Sequence, residues 1–273
     1  MDKYAVVGFP IGHSMSPSIH SQFAEQTEQT LSYSAIEVQP QNFDQALADF
    51  FQSAGKGLNC TVPLKELAFE KADQLTERAK FSGAVNTLKL MPDGSLLGDN
   101  TDGIGLLTDL SKNLGLSLKG MRILVLGAGG AARGILGPLL EAQPSALYLA
   151  NRTEAKAQLM EELFTPIGRI HASTYEGLLG QQFDLLINAT SASLSGDLPP
   201  LVDKLLAEGA VCYDLAYSKE PTAFMKWGQQ QGASLSVDGL GMLVEQAAHA
   251  FQLWRGVMPD SNKVLNQLNS EAS

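Results

Sequence analysis

The run Gly127-Ala128-Gly129-Gly130-Ala131-Ala132 constrains this chain more than any other segment. It follows the apolar, β-branched stretch Ile123 to Leu126 and opens a helical pattern that continues to Leu140. Strand, glycine turn and helix in that order form the G-x-G-x-x-A version of the dinucleotide fingerprint. The first glycine makes the tight turn, the second lets a pyrophosphate approach the backbone, and the last small residue lets helix and strand pack. The helix N-terminus adds positive potential for an anion. Glycines that merely make a close turn in an α/β sheet are the plainer alternative, and the next strand discriminates. An NAD-binding unit carries Asp or Glu at the end of its second strand, about 20 residues on, to hold the ribose 2′-hydroxyl. This chain instead places Asn151-Arg152-Thr153 after the strand Leu147 to Ala150. Arg152 offers charge-assisted hydrogen bonds to a 2′-phosphate, with Thr153 and Lys156 nearby on the following helical turn, so the pattern predicts an NADP pocket.

The 273 residues suit one large domain or two modest ones. Apolar β-branched runs alternating with helical patterns predict an α/β protein. Strands are expected at Tyr4 to Gly8, Tyr33 to Val38 and Leu58 to Val62, with a hairpin of Ala84 to Leu90 and Ser95 to Gly98 around Pro92-Asp93-Gly94. Helices are expected after Ser16-Pro17, with Ser16 as N-cap, from Phe43 to Ala54 behind Asn42, and around Lys65. Strands at Phe183 to Asn188 and Val211 to Leu215 continue the pattern of the glycine-turn unit, giving one parallel, doubly wound Rossmann-type sheet. The expected division is residues 1–102 as a first α/β domain and 103–237 as the cofactor domain, with the C-terminal helices of 238–273 returning to the first. Leu240, Leu243, Val244, Ala247, Phe251 and Trp254 recur at helical spacing and need a surface to pack on.

Hydride transfer to a ketone generates an alkoxide that must be protonated, which calls for a donor such as Lys held by a partner such as Asp. Lys65, after Asn59-Cys60-Thr61-Val62-Pro63-Leu64, and Asp102, in Gly98-Asp99-Asn100-Thr101-Asp102-Gly103, are candidates, although spacing alone does not pair them.

These segments, together with Ser14-Met15-Ser16-Pro17, Gly83-Ala84-Val85-Asn86-Thr87, Asn151-Arg152-Thr153, Asn188-Ala189-Thr190-Ser191 and Asp238-Gly239-Leu240-Gly241-Met242-Leu243, resemble the shikimate dehydrogenase family in order and over nearly the whole chain. The resemblance is to the biosynthetic, NADP-dependent branch, which reversibly reduces 3-dehydroshikimate to shikimate on the route to chorismate and the aromatic amino acids. It implies an N-terminal substrate domain with Lys65 as proton donor and acceptor and Asp102 as its partner, also binding a ring hydroxyl. It implies Ser14 and Ser16 on the substrate carboxylate, and Thr61, Asn86, Tyr217 and Gln246 on the rest of the substrate. On the cofactor side it implies Gly127, Ala128, Gly129, Gly130, Ala131, Asn151, Arg152, Thr153 and Lys156, with Glu77, Leu215 and Gly239 near the nicotinamide half. Short hydroxyl and amide side chains suit a small ring carrying a carboxylate and several hydroxyls. The chain departs from the family pattern at Cys60, Leu64 and Ser193, the last standing where glycine is usual.

A net charge of −10 argues against a general nucleic-acid or anionic-membrane surface. The uncharged stretch from Tyr4 to Ala24 carries two prolines, four serines and two histidines, so no membrane helix or signal core is expected there and a cytoplasmic protein is. Cys60 and Cys212 read as reduced, buried thiols. His13 and His20 read as surface histidines without a metal, His249 as a helix histidine, and Met225, Met242 and Met258 as core fillers. A monomer or homodimer is expected. Rival readings are a quinate-accepting relative, a methylenetetrahydrofolate dehydrogenase type of enzyme and a cofactor-sensing binder without turnover.

Overall fold

The computed structural model describes residues 1–190 and 192–272. They form two compact units, one of Met1–Leu106 with the chain from Leu243 onward, the other of Leu107–Met242. The divisions fall a few residues beyond those expected from the sequence. The first turn after Asp102 stays with the first unit because Gly105 packs directly on Gln246, where a Cβ would lie 2.7 Å from backbone and side chain.

The first unit runs β1 (Asp2–Gly8), α1 (Ser16–Gln26), β2 (Leu31–Glu37), α2 (Phe43–Gln52), β3 (Gly55–Cys60), α3 (Lys65–Lys71), β4 (Gln74–Leu75), α4 (Glu77–Ser82), β5 (Thr87–Leu90) and β6 (Leu96–Asp99), then enters α5 (Asp102–Thr108). Its six-stranded sheet has the order β2-β1-β3-β5-β6-β4. The first three strands are parallel, and the β5–β6 hairpin adds to β3 in the antiparallel sense. Phe43, Leu47, Leu58, Leu64, Val85 and Leu88 form its core. In α2, Phe43 is buried in this core while Phe50 and Phe51 pack on it half-buried. The chain leaves α2 through Ala54, which takes the left-handed conformation at φ 68°. Gly55, the glycine that follows the helical run, is already in β3, where a Cβ would strike Phe50.

Ser16 is the first residue of α1 and not its cap. Met15 holds the cap position, and Ser14, one residue before it, accepts the Ser16 backbone N–H on its Oγ at 3.3 Å. His20 is not a surface residue: it is 1% exposed and stacked on Tyr33 with ring centroids 4.2 Å apart and planes at 7°. Helical spacing puts it on the buried stripe with Ile19 and Phe23, against Trp254 and Phe251. Burial pushes its pKa down to about 3, offset only in part by Asn59. The folded chain therefore keeps His20 neutral where the unfolded chain begins to protonate it below about 6.5. Stability is lost as pH falls through that window, by about 1.4 kcal/mol per unit or roughly 2 kcal/mol by pH 5. Urea unfolding at pH 8 and pH 5 should show this loss in the wild type and a shallower one in His20→Gln. Equal losses in both would assign the acid sensitivity to other groups.

In the second unit, β7 (Arg122–Leu126), α6 (Gly130–Glu141), β8 (Ala146–Ala150), α7 (Glu154–Phe164), β9 (Ile170–Ser173), β10 (Phe183–Asn188), β11 (Leu206–Asp214), α8 (Ala223–Gln230) and β12 (Leu235–Val237) build an all-parallel sheet. Its order is β12-β11-β10-β7-β8-β9, the Rossmann arrangement with the order reversing at β7. Two further helices follow, α9 (Leu240–Arg255) and α10 (Ser261–Ala272). From Leu243 onward α9 belongs to the first unit: Trp254 Nε1 donates to the Leu88 carbonyl at 3.0 Å, and its ring lies where a Cβ on Gly57 would be. Val264 and Leu268 of α10 are also buried, whereas Met258 is exposed at the turn between the helices and fills no core. Cys60 and Cys212 are free and buried. Among the described residues no helix is long and apolar enough to cross a membrane.

Candidate active site

Sheet register gathers the reactive side chains of the first unit at one edge. Parallel β1 and β3 both end there, placing the loops after Gly8 and Cys60 side by side, with Thr61 N–H donating to the Val7 carbonyl at 2.9 Å. Antiparallel β5 begins at that edge and β6 ends there, so Asn59, Thr87 and Asp99 lie in register across three strands. Ser14 and Ser16 sit at the start of α1, Lys65 at the start of α3 and Asp102 at the start of α5. Gly8 is required, because a Cβ would come within 2.5 Å of Thr61 Cγ2.

Lys65 Nζ donates to Asp102 Oδ2 at 2.6 Å, with the side chains 22% and 10% exposed. The pair is sheltered yet reachable, the condition under which a charged contact is strong and a substrate can still touch it. Asn86 Nδ2 donates to the other Asp102 oxygen at 2.9 Å and to Gln246 Oε1 at 3.3 Å. Behind them Asp99 is fully buried. Burial would raise its carboxyl pKa, but hydrogen bonds and charge from Arg78, with help from Thr76, hold it below the usual value. Arg78 Nε donates to it at 2.7 Å, which pins the end of β6 immediately before Asp102. Cys60, beside Lys65, has its thiol pushed up to about 12 by burial and is inert as a nucleophile.

The glycine turn of the second unit has the form its sequence requires. Gly127 takes φ +95°, a region that favours glycine, and a Cβ there would meet Thr190 at 2.9 Å. Among the described residues, nothing lies within 4 Å of a Cβ added to Gly129 or Gly130, and no side chain caps α6. Asn151 Oδ1 accepts from Ala128 N–H at 3.3 Å, tying the end of β8 to the turn. Arg152, Thr153 and Lys156 are exposed beyond it, and neither cation has a carboxylate ion-pair partner among the described residues. Open glycines, uncapped helix N–H groups and two available cations fit a phosphorylated dinucleotide. Leu215 and Gly239 are also brought together, since a Cβ on Gly239 would lie 2.3 Å from the Leu215 carbonyl oxygen.

Comparison with known proteins decides the family. Residues 6–88 match the shikimate dehydrogenase substrate binding domain, 109–205 the shikimate / quinate 5-dehydrogenase family and 239–268 the shikimate 5'-dehydrogenase C-terminal domain. The NADP(+) shikimate dehydrogenase of Methylococcus capsulatus is 56% identical over 99% of this chain and 97% of its own. The chain belongs to the shikimate dehydrogenase family. Among solved structures, an Ael1 enzyme from Pseudomonas putida is similar with a TM-score of 0.93 and 50% identity, covering 98% of both chains. The shikimate dehydrogenase of Thermus thermophilus, solved with NADP(H) and shikimate, is similar with a TM-score of 0.87 and 34% identity, covering 100% of both.

Within this shikimate dehydrogenase fold, Ser14, Ser16, Thr61, Lys65, Asn86, Asp102 and Gln246 all lie in the first unit. Tyr217 lies in the second, 36% exposed. Glu77 lies in the first unit and pairs with Lys80 Nζ at 2.6 Å. Ser191 falls outside the described residues. Ser193 has a visible use for the hydroxyl that glycine lacks: its Oγ accepts from Asn188 Nδ2 at 2.9 Å and donates to Asp214 Oδ2 at 2.5 Å. Asp214, wholly buried, also accepts from the Thr222 hydroxyl at 2.7 Å, joining the ends of β10 and β11 to the cap of α8. Sequence reasoning missed both Asp214 and the Arg78–Asp99 pair. An acidic residue closing an apolar strand was the available signal for each.

Proposed function

We propose that the chain catalyses the reversible NADPH-dependent reduction of 3-dehydroshikimate to shikimate, with Lys65 as proton donor and acceptor and Asp102 as its partner. The observation that carries this reading is the 2.6 Å Lys65–Asp102 contact, with Asn86 on the second carboxylate oxygen, in a chain similar over its full length to NADP(+) shikimate dehydrogenases. When bound, NADPH supplies the hydride. The Lys65 ammonium delivers a proton to the developing alkoxide and takes it back in the oxidative direction. Asp102 holds the ammonium in line and accepts from a ring hydroxyl. Ser14 Oγ accepts from the Ser16 N–H, which leaves the Ser14 proton for the substrate carboxylate. The Ser16 side chain is hydrogen-bonded to Tyr33, and its place on the carboxylate rests on the family match. Arg152 and Lys156 hold the 2′-phosphate, with Asn151 and Thr153 shaping the turn beneath it. Glu77, Tyr217, Leu215 and Gly239 complete this assignment on the strength of the family match. A cytoplasmic location is part of the same reading, supported by two free buried thiols.

Quinate is the competing substrate. It lacks the ring double bond and adds a hydroxyl on the carboxylate-bearing carbon, so a site shaped to the flatter shikimate must take a puckered ring and desolvate one more polar group. The expected result is a kcat/KM for shikimate well above that for quinate, with Ser14→Ala and Ser16→Ala each raising KM for shikimate more than they lower kcat. Comparable turnover of quinate would move the chain to the quinate-accepting branch. Unchanged KM in both serine variants would remove the carboxylate assignment.

A further inference from the structure

Thr87 is uncharged and fully buried, at the first position of β5. Its hydroxyl nevertheless sits in the middle of a directed chain of side-chain hydrogen bonds behind the Lys65–Asp102 pair. Tyr33 Oη donates to Asn59 Oδ1 at 2.7 Å. Asn59 Nδ2 donates to Thr87 Oγ1 at 3.0 Å and to the Asn86 carbonyl at 3.1 Å. Having accepted there, Thr87 directs its single proton to Asn86 Oδ1 at 2.8 Å, the Thr101 backbone N–H reaches the same oxygen at 2.8 Å, and Thr101 Oγ1 accepts from Asn86 Nδ2 at 2.9 Å. With its oxygen held from two sides, the Asn86 amide turns Nδ2 toward Asp102 Oδ1 at 2.9 Å. A flipped amide would set oxygen against carboxylate and N–H against N–H. Both arrangements are strongly disfavoured in a buried site.

Valine would fill the Thr87 position without a polar atom to desolvate, and a buried hydroxyl is retained at no gain unless its hydrogen bonds are used. We propose that Thr87 is a positioning residue for proton transfer: together with the Thr101 N–H its hydroxyl holds the Asn86 amide oxygen and, through Asn86, one Asp102 oxygen, so that the other stays with Lys65. The inference rests on the reading of Lys65 and Asp102 as the reacting pair. Its central claim is that Thr87 acts through Asn86, since its other side-chain neighbour, Thr101 Oγ1 at 3.5 Å, also lies against the Asn86 amide.

Thr87→Val should lower kcat for shikimate oxidation about tenfold, the scale of a lost buried hydrogen bond, with the dissociation constant for NADPH unchanged. Thr87→Ser returns the hydroxyl and should restore the wild-type kcat. In an Asn86→Ala background the same Thr87→Val change should cost less than about twofold, because the residue it acts through is gone. If the valine variant does not fold, Thr87→Cys, a weak donor of similar size, replaces it with the same expectation. A wild-type kcat in Thr87→Val, a serine variant as slow as the valine one, or an undiminished loss in the Asn86→Ala background would each overturn the proposal. Lys65→Ala measured alongside separates the two claims. If it turns over at the wild-type rate, the reacting pair is misassigned, whereas a slow Lys65→Ala beside a wild-type Thr87→Val rejects Thr87 alone.

Discussion

Lys65→Ala should lower kcat by about 10² to 10⁴-fold, the range typical of general acid–base catalysis, with a much smaller change in KM. The expectation follows from position. Lys65 is the first residue of α3, its ammonium is 2.6 Å from Asp102, and the pair is only partly open to solvent. Asp102→Asn should impair kcat and KM together, since the carboxylate both orients the ammonium and is assigned a substrate hydroxyl. Initial rates in both directions, with shikimate and with 3-dehydroshikimate, check this. A large rise in KM at nearly unchanged kcat would make Lys65 a binding group and leave the proton donor to be found elsewhere.

Arg152→Ala should weaken NADP binding about ten- to a hundredfold and leave NAD nearly unaffected, because a charge-assisted contact to a phosphate is lost and NAD carries no phosphate there. The structure leaves Arg152 exposed at the end of β8 without an ion-pair partner among the described residues, so removing it disturbs little else. Titration with NADPH and with NADH, followed by the fluorescence of the reduced nicotinamide, reads the effect directly. Equal losses for the two would defeat the assignment of Arg152 to the 2′-phosphate.

What could be read from the chain beforehand was whatever depends on neighbours in sequence. The glycine turn, the strand before it and the helix after it are contiguous, and Gly127 takes the left-handed conformation its position demands. β10 was legible because Phe183–Asn188 is an unbroken buried run, while β4, β9 and β12 are short and half-exposed and carry no periodicity to detect. Histidine spacing in α1 placed His20 on the Ile19 and Phe23 stripe, but a polar residue type masked its burial. A serine before proline is a common helix start, but the helix already includes Ser16, with Met15 in the cap position and the Ser16 N–H taken by Ser14 Oγ. The site itself depends on contacts across long sequence distances. Lys65 meets Asp102 only because β5 and β6 bring the second beside the first, and the Tyr33–Asn59–Thr87–Asn86 chain crosses three strands that no local pattern links. Family resemblance supplied the residue roles before the structure supplied the distances.

The most direct test is the initial rate of cofactor reduction by shikimate in the purified chain, followed by the absorbance of reduced nicotinamide with NADP+ and with NAD+ in parallel. Rapid formation of NADPH that depends on shikimate, and slow formation of NADH at the same concentrations, is the expected result. Tight binding of NADP+ without shikimate-dependent turnover would contradict it and leave a cofactor-binding protein that performs no hydride transfer.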